Sequence, residues 1–295
     1  MFAAEFEYFK ATSVAQAIQL LNSHPGARVL AGGQSLIPLL KLRQARPPAL
    51  VDIGGISELR GITVTNGTIR IGALTTHRAV ESSAELRNAC HVLTEVAGGI
   101  GDAQVRNWGT IGGNVAHADP ASDWPTVLAA LNARFVIQGA GGSTRRGTRS
   151  VAPADFFSGP LTTTLAENEV LTAIEVPRLA ANQRAEYAKM AHPASSFAVV
   201  GAAVVVTIDR GRCTSASVVV GGLVPVPLRA RSVETALAGH QLTLESIAAA
   251  AERVSNDLGN NATGDAVYAS ADYRRAMAAV EIKHALNHAM GLAHH

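Results

Sequence analysis

The chain has 295 residues, 47% hydrophobic and 16% charged, so it is long enough for one large domain or two to three ordinary ones and too apolar to be disordered. Its 25 Lys and Arg residues nearly balance 23 Asp and Glu residues, which argues against a polybasic surface for nucleic acid or lipid. Two cysteines are too few for an iron–sulfur cluster or a four-cysteine zinc site, and 4% aromatic residues argue against a stacking platform for nucleic acid.

The N-terminus carries acidic residues where a secretory signal needs a basic start followed by an apolar run. Nowhere does an apolar stretch approach the roughly 20 residues of a membrane-spanning helix. We therefore expect a cytoplasmic protein with no integral membrane segment.

The first fifty residues predict a small α/β layer. Apolar residues recur at helical spacing over 13–22, behind Ser13 as a possible N-cap, and Pro25-Gly26 ends this helix. Strands are predicted at 28–31 and 50–53, with a helix over 36–42 between them.

The next part of the chain begins with a β-hairpin over 62–72, because β-branched residues alternate on both sides of Asn66-Gly67. A helical region follows over 76–101, then a long irregular passage over 102–123 and a helix over about 125–131. Strands at 134–138 and 171–176 enclose a Gly/Arg-rich turn at 139–147 and a Pro/Phe loop.

Pro177 marks a change in composition. Beyond it, three strands are predicted near 185–191, 197–209 and 213–221, followed by helices over 232–238, 243–256 and 270–291. The pattern indicates an α+β fold with one lobe over 1–176 and a second over 177–295, the latter a three-stranded antiparallel sheet with helices.

Two glycine-rich turns carry the chemistry: Ala31-Gly32-Gly33-Gln34-Ser35 and Thr110-Ile111-Gly112-Gly113-Asn114. Paired glycines let the backbone approach an anion, and a helix N-terminus offers N–H groups and a positive dipole. The first turn alone fits a plain tight turn equally well. Together, the two favour a nucleotide-type ligand whose diphosphate is held from both sides, with Asp123 accepting from its hydroxyl groups. Neither a dinucleotide-binding G-x-G-x-x-G nor a P-loop sequence is present.

The remaining polar candidates favour structural roles. His117 and Asp119 lack a third metal ligand nearby and are expected to order their loop. His284 and His288 lie one helical turn apart on what we expect to be a solvated face. Cys90 and Cys213 are expected to be small buried hydrophobic residues, so the sequence predicts no metal site.

Residues 31–43 and 110–123 closely resemble the FAD-binding medium subunit of molybdenum hydroxylases, the group of the carbon monoxide, xanthine, nicotine and caffeine dehydrogenases. The resemblance extends over essentially the whole chain. It implies an FAD-binding domain of the vanillyl-alcohol-oxidase (PCMH) type, with subdomains at about 1–56 and 57–176, followed by a C-terminal flavoprotein domain.

The resemblance also implies which residues bind FAD. Residues 31–36 hold the pyrophosphate from one side and residues 110–114 from the other. These and the remaining FAD-binding residues are Ala31, Gly32, Gly33, Gln34, Ser35, Leu36, Ile100, Gly101, Thr110, Ile111, Gly112, Gly113, Asn114, Asp123, Leu171 and Lys189.

Five of the implied residues concern the flavin ring. Ile100-Gly101 lines the isoalloxazine, and Leu171 packs near it. Lys189 lies at the oxygen or N1 side, where a cation stabilises the negative charge that reduction brings. Phe197 occupies the position where carbon monoxide dehydrogenase has a tyrosine, so this chain lacks that hydroxyl group. No residue is assigned with certainty as catalytic.

The resemblance places molybdopterin and two [2Fe–2S] clusters on a large and a small partner subunit, in a dimer of heterotrimers. FAD would pass their electrons to an external acceptor, and the substrate stays open among carbon monoxide, an N-heterocycle and an aldehyde. A standalone FAD oxidase and a nucleotide-binding module without redox function are the alternatives. The standalone oxidase is the weaker interpretation, because neither glycine-rich turn carries an obvious histidine or cysteine for covalent flavin attachment.

Overall fold

The computed structural model describes residues 2–139, 147–265 and 267–292. Its N-terminal part contains, in chain order, β1 (Glu7–Lys10), α1 (Val14–Ser23), β2 (Arg28–Leu30), α2 (Leu36–Lys41) and β3 (Ala49–Asp52). The strands form a parallel sheet in the order β1-β3-β2. Ser13 caps α1 by accepting a hydrogen bond from the N–H of Gln16, as predicted. Strand β1 was not predicted.

The second part contains β4 (Ile62–Val64), β5 (Thr68–Gly72), α3 (His77–Glu81), α4 (Ala84–Gly98), α5 (Ala103–Trp108), α6 (Ile111–His117), α7 (Asp123–Ala130), β6 (Arg134–Gly139), β7 (Thr148–Val151), α8 (Pro153–Phe156), β8 (Phe157–Gly159), β9 (Thr162–Thr163) and β10 (Glu169–Pro177). Five of its strands form an antiparallel sheet in the order β4-β5-β10-β6-β7. The predicted hairpin and strands are confirmed. The Gly/Arg-rich turn at 139–147 lies largely outside the described residues.

The prediction of an irregular passage over 102–123 was wrong, because this stretch contains the short helices α5 and α6. Asp102 caps α5 through the N–H of Val105, and Thr110 caps α6 through the N–H of Gly113. Helix α5 buries none of its side chains, so it lacks the apolar periodicity by which a helix is recognised.

The C-terminal part contains β11 (Gln183–Ala191), β12 (Ala198–Asp209), β13 (Arg212–Gly221), β14 (Leu228–Arg229), α9 (Arg231–Leu237), α10 (Leu244–Ala251), α11 (Val254–Leu258) and α12 (Ala271–Ala289). Two expectations need correction. The antiparallel sheet has four strands, not three, because the two-residue β14 pairs with β13. The helix predicted over 243–256 is two helices, α10 and α11.

The lobes share a core. Trp124 of α7 is fully buried, and its hydrophobic cluster includes Ala203 of β12 and Val219 of β13. Helix α7 packs on both strands, and α4 packs on β11. The packing holds the start of α7 and the end of α4 against the second lobe.

Candidate functional site

The two glycine-rich turns come together in space. A Cβ atom at Gly32 would lie 2.2 Å from the carbonyl oxygen of Trp108, closer than real Cβ contacts come. A Cβ atom at Gly113 would lie 3.7 Å from the Cβ of Ala31, which is ordinary contact. Gly32 is therefore required for the close approach of two backbone segments, a reason that the sequence did not reveal.

A cleft of about 480 Å³ opens between these turns. Its walls include four predicted residues: Ala31, Gly32, Gly33 and Thr110. They also include Lys10, Gly54, Arg60, Thr76 and Trp108, which the motifs did not predict. Trp108 is 68% exposed, an unusual position for a large aromatic side chain, and offers a flat apolar surface at the cleft.

The charges in the cleft suit an anionic ligand. Lys10 and Arg60 supply two cations, against the single carboxylate of Asp52. That carboxylate is already occupied, since it accepts from the Tyr8 hydroxyl at 2.5 Å and from the N–H of Gly54 at 2.7 Å. Arg60 also donates to the carbonyl of Gly54 at 2.7 Å, which anchors the 54–55 turn.

The two turns differ in what they offer a ligand. On the α6 side, the N–H of Ile111 donates to Thr75 O at 3.0 Å and the N–H of Gly112 to Ala73 O at 2.9 Å. The N–H of Gly113 donates to Thr110 Oγ1 at 3.1 Å. These N–H groups are therefore partnered within the protein, and Thr110, the N-cap of α6, is the residue of this turn that lines the cleft.

The turn before α2 has a side chain at the N-cap position that makes no capping hydrogen bond. This side chain is that of Ser35. Gly33 has φ +73°, a conformation that favours glycine. Since the first N–H groups of a helix have no partners within the helix, this turn is the better anion cradle of the two.

A second cluster lies at the start of α7, where Lys189 of β11 meets Asp123. Lys189 Nζ donates to Asp123 Oδ2 at 2.8 Å and to the carbonyl oxygens of Gly99 and Ser196, each at 2.9 Å. Three acceptors use all three N–H groups of an ammonium ion, so the geometry fits a charged lysine. The side chains of Lys189 and Asp123 are only 14% and 5% exposed.

Tyr187 completes this cluster by donating to Asp123 Oδ1 at 2.6 Å. Burial raises the pKa of Asp123, and the Lys189 ammonium and the Tyr187 hydroxyl oppose that rise. Burial and the adjacent Asp123 raise the pKa of Tyr187 well above its ordinary value, so the phenol remains a donor. Asp123 is thus the counterion of Lys189, a partnership that sequence reasoning missed.

The Ile100-Gly101 segment is anchored by two cations. Arg106 Nη1 donates to the carbonyl oxygens of Ile100 and Gly101 at 3.2 Å, and Lys189 binds the preceding carbonyl of Gly99. Phe197, 44% exposed, follows the Ser196 carbonyl that Lys189 also binds. Lys189 therefore joins the segment predicted to line the flavin to the residue predicted to lie beside it.

Comparisons with known proteins identify the family of this chain. A family model described as the FAD binding domain in molybdopterin dehydrogenase matches residues 4–179. A second, described as the CO dehydrogenase flavoprotein C-terminal domain, matches residues 185–289. The chain belongs to the FAD-binding family of the molybdopterin dehydrogenases.

Relatives in this family match nearly the full chain. The carbon monoxide dehydrogenase medium chain of Hydrogenophaga pseudoflava is 38% identical, over 97% of this chain and 98% of its own. The glyceraldehyde dehydrogenase medium chain of Sulfolobus acidocaldarius is 37% identical, over 88% of this chain and 90% of its own. This chain is thus an oxidoreductase subunit.

Solved structures show the same fold. A chain of the H. pseudoflava carbon monoxide dehydrogenase that lacks the Mo-pyranopterin moiety superposes with a TM-score of 0.92 at 38% identity, covering 99% of both chains. A chain of quinoline 2-oxidoreductase from Pseudomonas putida 86 gives a TM-score of 0.90 at 31% identity, again covering 99% of both.

The family binds FAD, and the chemistry of the cleft is compatible with parts of that cofactor. Its cations and the turn before α2 suit a pyrophosphate, and Trp108 offers a surface for an aromatic ring. Some predicted residues lie elsewhere: Ile111 and Leu171 are buried in the hydrophobic core, and Gln34 is exposed. Leu36 begins α2, and Asn114 of α6 accepts from the Ser122 hydroxyl.

His77 supports the cleft wall from behind. It accepts a hydrogen bond from Trp124 Nε1 at 3.2 Å through Nδ1, and it packs beneath Gly109. Burial, with a smaller effect of Arg106, lowers the pKa of His77 to about 4. The imidazole is therefore neutral at neutral pH, the form that accepts from an indole.

The other sequence candidates have structural surroundings. Asp119 accepts from the N–H of Ala121, which agrees with the expected loop-ordering role. His284 lies 3.5 Å from Glu281 on the same helix. Cys90 and Cys213 are both free and buried, as expected.

Proposed function

We propose that this chain is the FAD-carrying medium subunit of a heterotrimeric molybdenum hydroxylase, and that it passes electrons from partner [2Fe–2S] clusters through FAD to an external acceptor. The cleft between the two glycine-rich turns is the observation that carries the proposal, since its cations suit a pyrophosphate and Trp108 offers an aromatic surface. Bound flavin supplies both one-electron and two-electron redox chemistry. A small [2Fe–2S] subunit and a large molybdopterin subunit are the partners we propose, in a dimer of heterotrimers.

The residues have distinct roles in this proposal. The turn before α2, with Lys10 and Arg60 nearby, binds the pyrophosphate, and the Thr110 hydroxyl donates from the opposite side. The whole predicted set remains our proposal for the FAD-binding residues: Ala31–Leu36, Ile100, Gly101, Thr110–Asn114, Asp123, Leu171 and Lys189. Ile111 and Leu171 would act through packing, because both are buried.

Lys189 is a positioning residue in this proposal. Its three hydrogen bonds hold Gly99, next to Ile100-Gly101, and Ser196, next to Phe197. Asp123 offsets its charge at 2.8 Å, so a bound flavin experiences the field of an ion pair, which falls off faster than that of a lone cation.

We propose further that the FAD-binding domain is of the PCMH type, with subdomains at about 1–56 and 57–176, and that the C-terminal domain spans 177–295. The parallel sheet and the five-stranded antiparallel sheet support two subdomains. Among the described residues, the helices are too short or too polar to span a membrane. We propose a cytoplasmic location.

The substrate would belong to the large partner subunit. Relatives include subunits of enzymes named carbon monoxide dehydrogenase, glyceraldehyde dehydrogenase, caffeine dehydrogenase and nicotine 6-hydroxylase, and the substrates in these names differ widely in chemistry. Since the cleft of this chain suits a cofactor, we propose that it carries electrons and does not select the substrate.

The test uses Gly32→Ala, whose added Cβ would meet the backbone of Trp108. The native full chain should bind one FAD, seen as a flavin absorption band near ~450 nm, and should copurify with its partners. Because the two turns must separate in the variant, we expect its Kd for FAD to rise at least about tenfold, or ~1.4 kcal/mol.

Gly67→Ala is the matched control, because a Cβ at Gly67 meets no atom within 4 Å. It should bind FAD like the native chain. Equal FAD affinity in all three proteins would contradict the assignment of the cleft, and a native chain that binds no FAD would contradict the proposed function.

A further inference from the structure

Away from the FAD cleft, three metal-ligating side chains meet where α4 packs against β11. His91 Nε2 lies 3.0 Å from Glu186 Oε1. One ligand atom each from His91, Glu95 and Glu186 lies within 4.8 Å of the other two. In the part of the chain that the structure describes, this is the sole group of three such residues at this spacing. Neither the proposed function nor the comparisons assign it a role.

Local structure explains why these side chains converge. Cys90 has non-helical dihedral angles, φ −165° and ψ 83°, so α4 bends there and a new helical segment begins at His91. His91 and Glu95 are four residues apart and project from the same face of that segment. Glu186 comes from β11, on which α4 packs.

The electrostatics of the cluster suit a cation. The pKa of Glu95 is raised by burial and by the neighbouring Glu186, and it is lowered by His91 and by His288 of α12. Two ionised carboxylates carry a charge of −2, which a divalent ion would neutralise.

We propose that His91, Glu95 and Glu186 bind a divalent transition-metal ion of the Zn²⁺ class. Zinc binds nitrogen and oxygen at about 2.0–2.2 Å, so tetrahedral ligand atoms lie about 3.3 Å apart. The three ligand atoms now lie within 4.8 Å of one another, and small side-chain rotations would bring them to the separation that zinc requires. An imidazole ligand favours zinc over Mg²⁺ and Ca²⁺, which prefer all-oxygen sites.

The consequence would be structural. The site joins α4 of the FAD-binding domain to β11 of the C-terminal domain. Helix α4 ends at Gly98, directly before the Gly99 carbonyl that Lys189 binds. A bound ion would therefore fix the helix that leads into the segment proposed to line the flavin, without touching the flavin itself.

Titration calorimetry with ZnCl₂ on the full chain tests the proposal. We expect one equivalent to bind saturably, and Tm to rise by a few degrees at about 100 times Kd. Co²⁺ at the same site should show the visible absorption of a tetrahedral or five-coordinate ion, and excess Mg²⁺ should not displace zinc. His294-His295 at the C-terminus remain in every protein compared, so any binding by them is common to all.

Glu95→Gln is the decisive variant, because Glu95 is exposed and its amide analogue has the same shape, so we expect the fold to be undisturbed. It and His91→Ala should each weaken zinc binding at least tenfold, whereas His240→Ala, an exposed control elsewhere on the surface, should not. Zinc binding that is absent from the native chain, or unchanged in Glu95→Gln and His91→Ala, would overturn the proposal. FAD content, measured in parallel, should stay the same throughout, which separates this test from that of the cleft.

Discussion

The Lys189–Asp123 pair offers a quantitative test of the site, because each partner depends on the other for its charge to be tolerated. Lys189→Met removes the ammonium and leaves Asp123, 5% exposed, with Tyr187 alone as a donor. It also deprives the carbonyls of Gly99 and Ser196 of their shared donor. Breaking a buried ion pair from one side costs about 3–5 kcal/mol, so we expect Lys189→Met to lose that much unfolding free energy.

Asp123→Asn should lower the unfolding free energy by a similar amount, because it leaves the largely buried ammonium of Lys189 without a counterion. The double variant removes both charges, while the side-chain amide introduced at position 123 can still accept from Tyr187. The double variant should therefore lose less unfolding free energy than the sum of the losses in the two single variants. We expect a coupling of about 2 kcal/mol, within the usual range for residues in contact.

The assay is urea unfolding of the four proteins, followed by circular dichroism, with m-values compared to confirm that the transitions are equivalent. Lys41→Met, at an exposed position in α2, controls for the loss of a positive charge. A coupling within about 0.5 kcal/mol of zero would refute the reasoning, because the two residues would then behave as independent sites.

Two further predictions concern the walls of the cleft. His77 has a pKa of about 4 when folded and about 6.5 when unfolded, so the unfolded chain binds more protons between these values and stability falls as pH drops through this window, by up to about 3 kcal/mol. Unfolding free energies measured from pH 7 to 4.5 should show this loss in the native chain, and an identical slope in His77→Gln would contradict it. Lys10→Met should raise the Kd for FAD severalfold, and high salt should shrink the difference. Lys41→Met should bind FAD normally, and equal FAD affinity of Lys10→Met and the native chain would remove Lys10 from the site.

Much of the fold follows from local pattern. The capped helix α1, the Asn-Gly hairpin and the long strands β11 to β13 have strong periodicity or turn chemistry, and all were predicted within a few residues. Strand β14 has two residues and α5 buries no side chain, so neither carries a periodic signal. Their conformations depend on neighbours that are distant in sequence.

The candidate site also has parts that local sequence predicts and parts that depend on the fold. The glycine-rich turns are local motifs, so the resemblance identified them directly. By contrast, Lys189 and Asp123 are 66 residues apart, and their pairing depends on how β11 packs against α7. The need for glycine at position 32 comes from the backbone of Trp108, and the sequence alone contains no sign of that contact. Lys10 and Arg60 likewise reach the cleft only through the fold.

The most direct test of the central claim is electron flow through the assembled complex. Complexes with the native chain or Gly32→Ala would be reduced anaerobically by whichever of carbon monoxide, an N-heterocycle or an aldehyde reduces the native enzyme, and then mixed with an acceptor. We predict that the partner iron–sulfur clusters become reduced in both complexes. Reduction of the acceptor should fall in proportion to the FAD lost from the variant. Acceptor reduction at the native rate in complexes without FAD would contradict the account, because electrons would then leave the enzyme by a route that bypasses this chain.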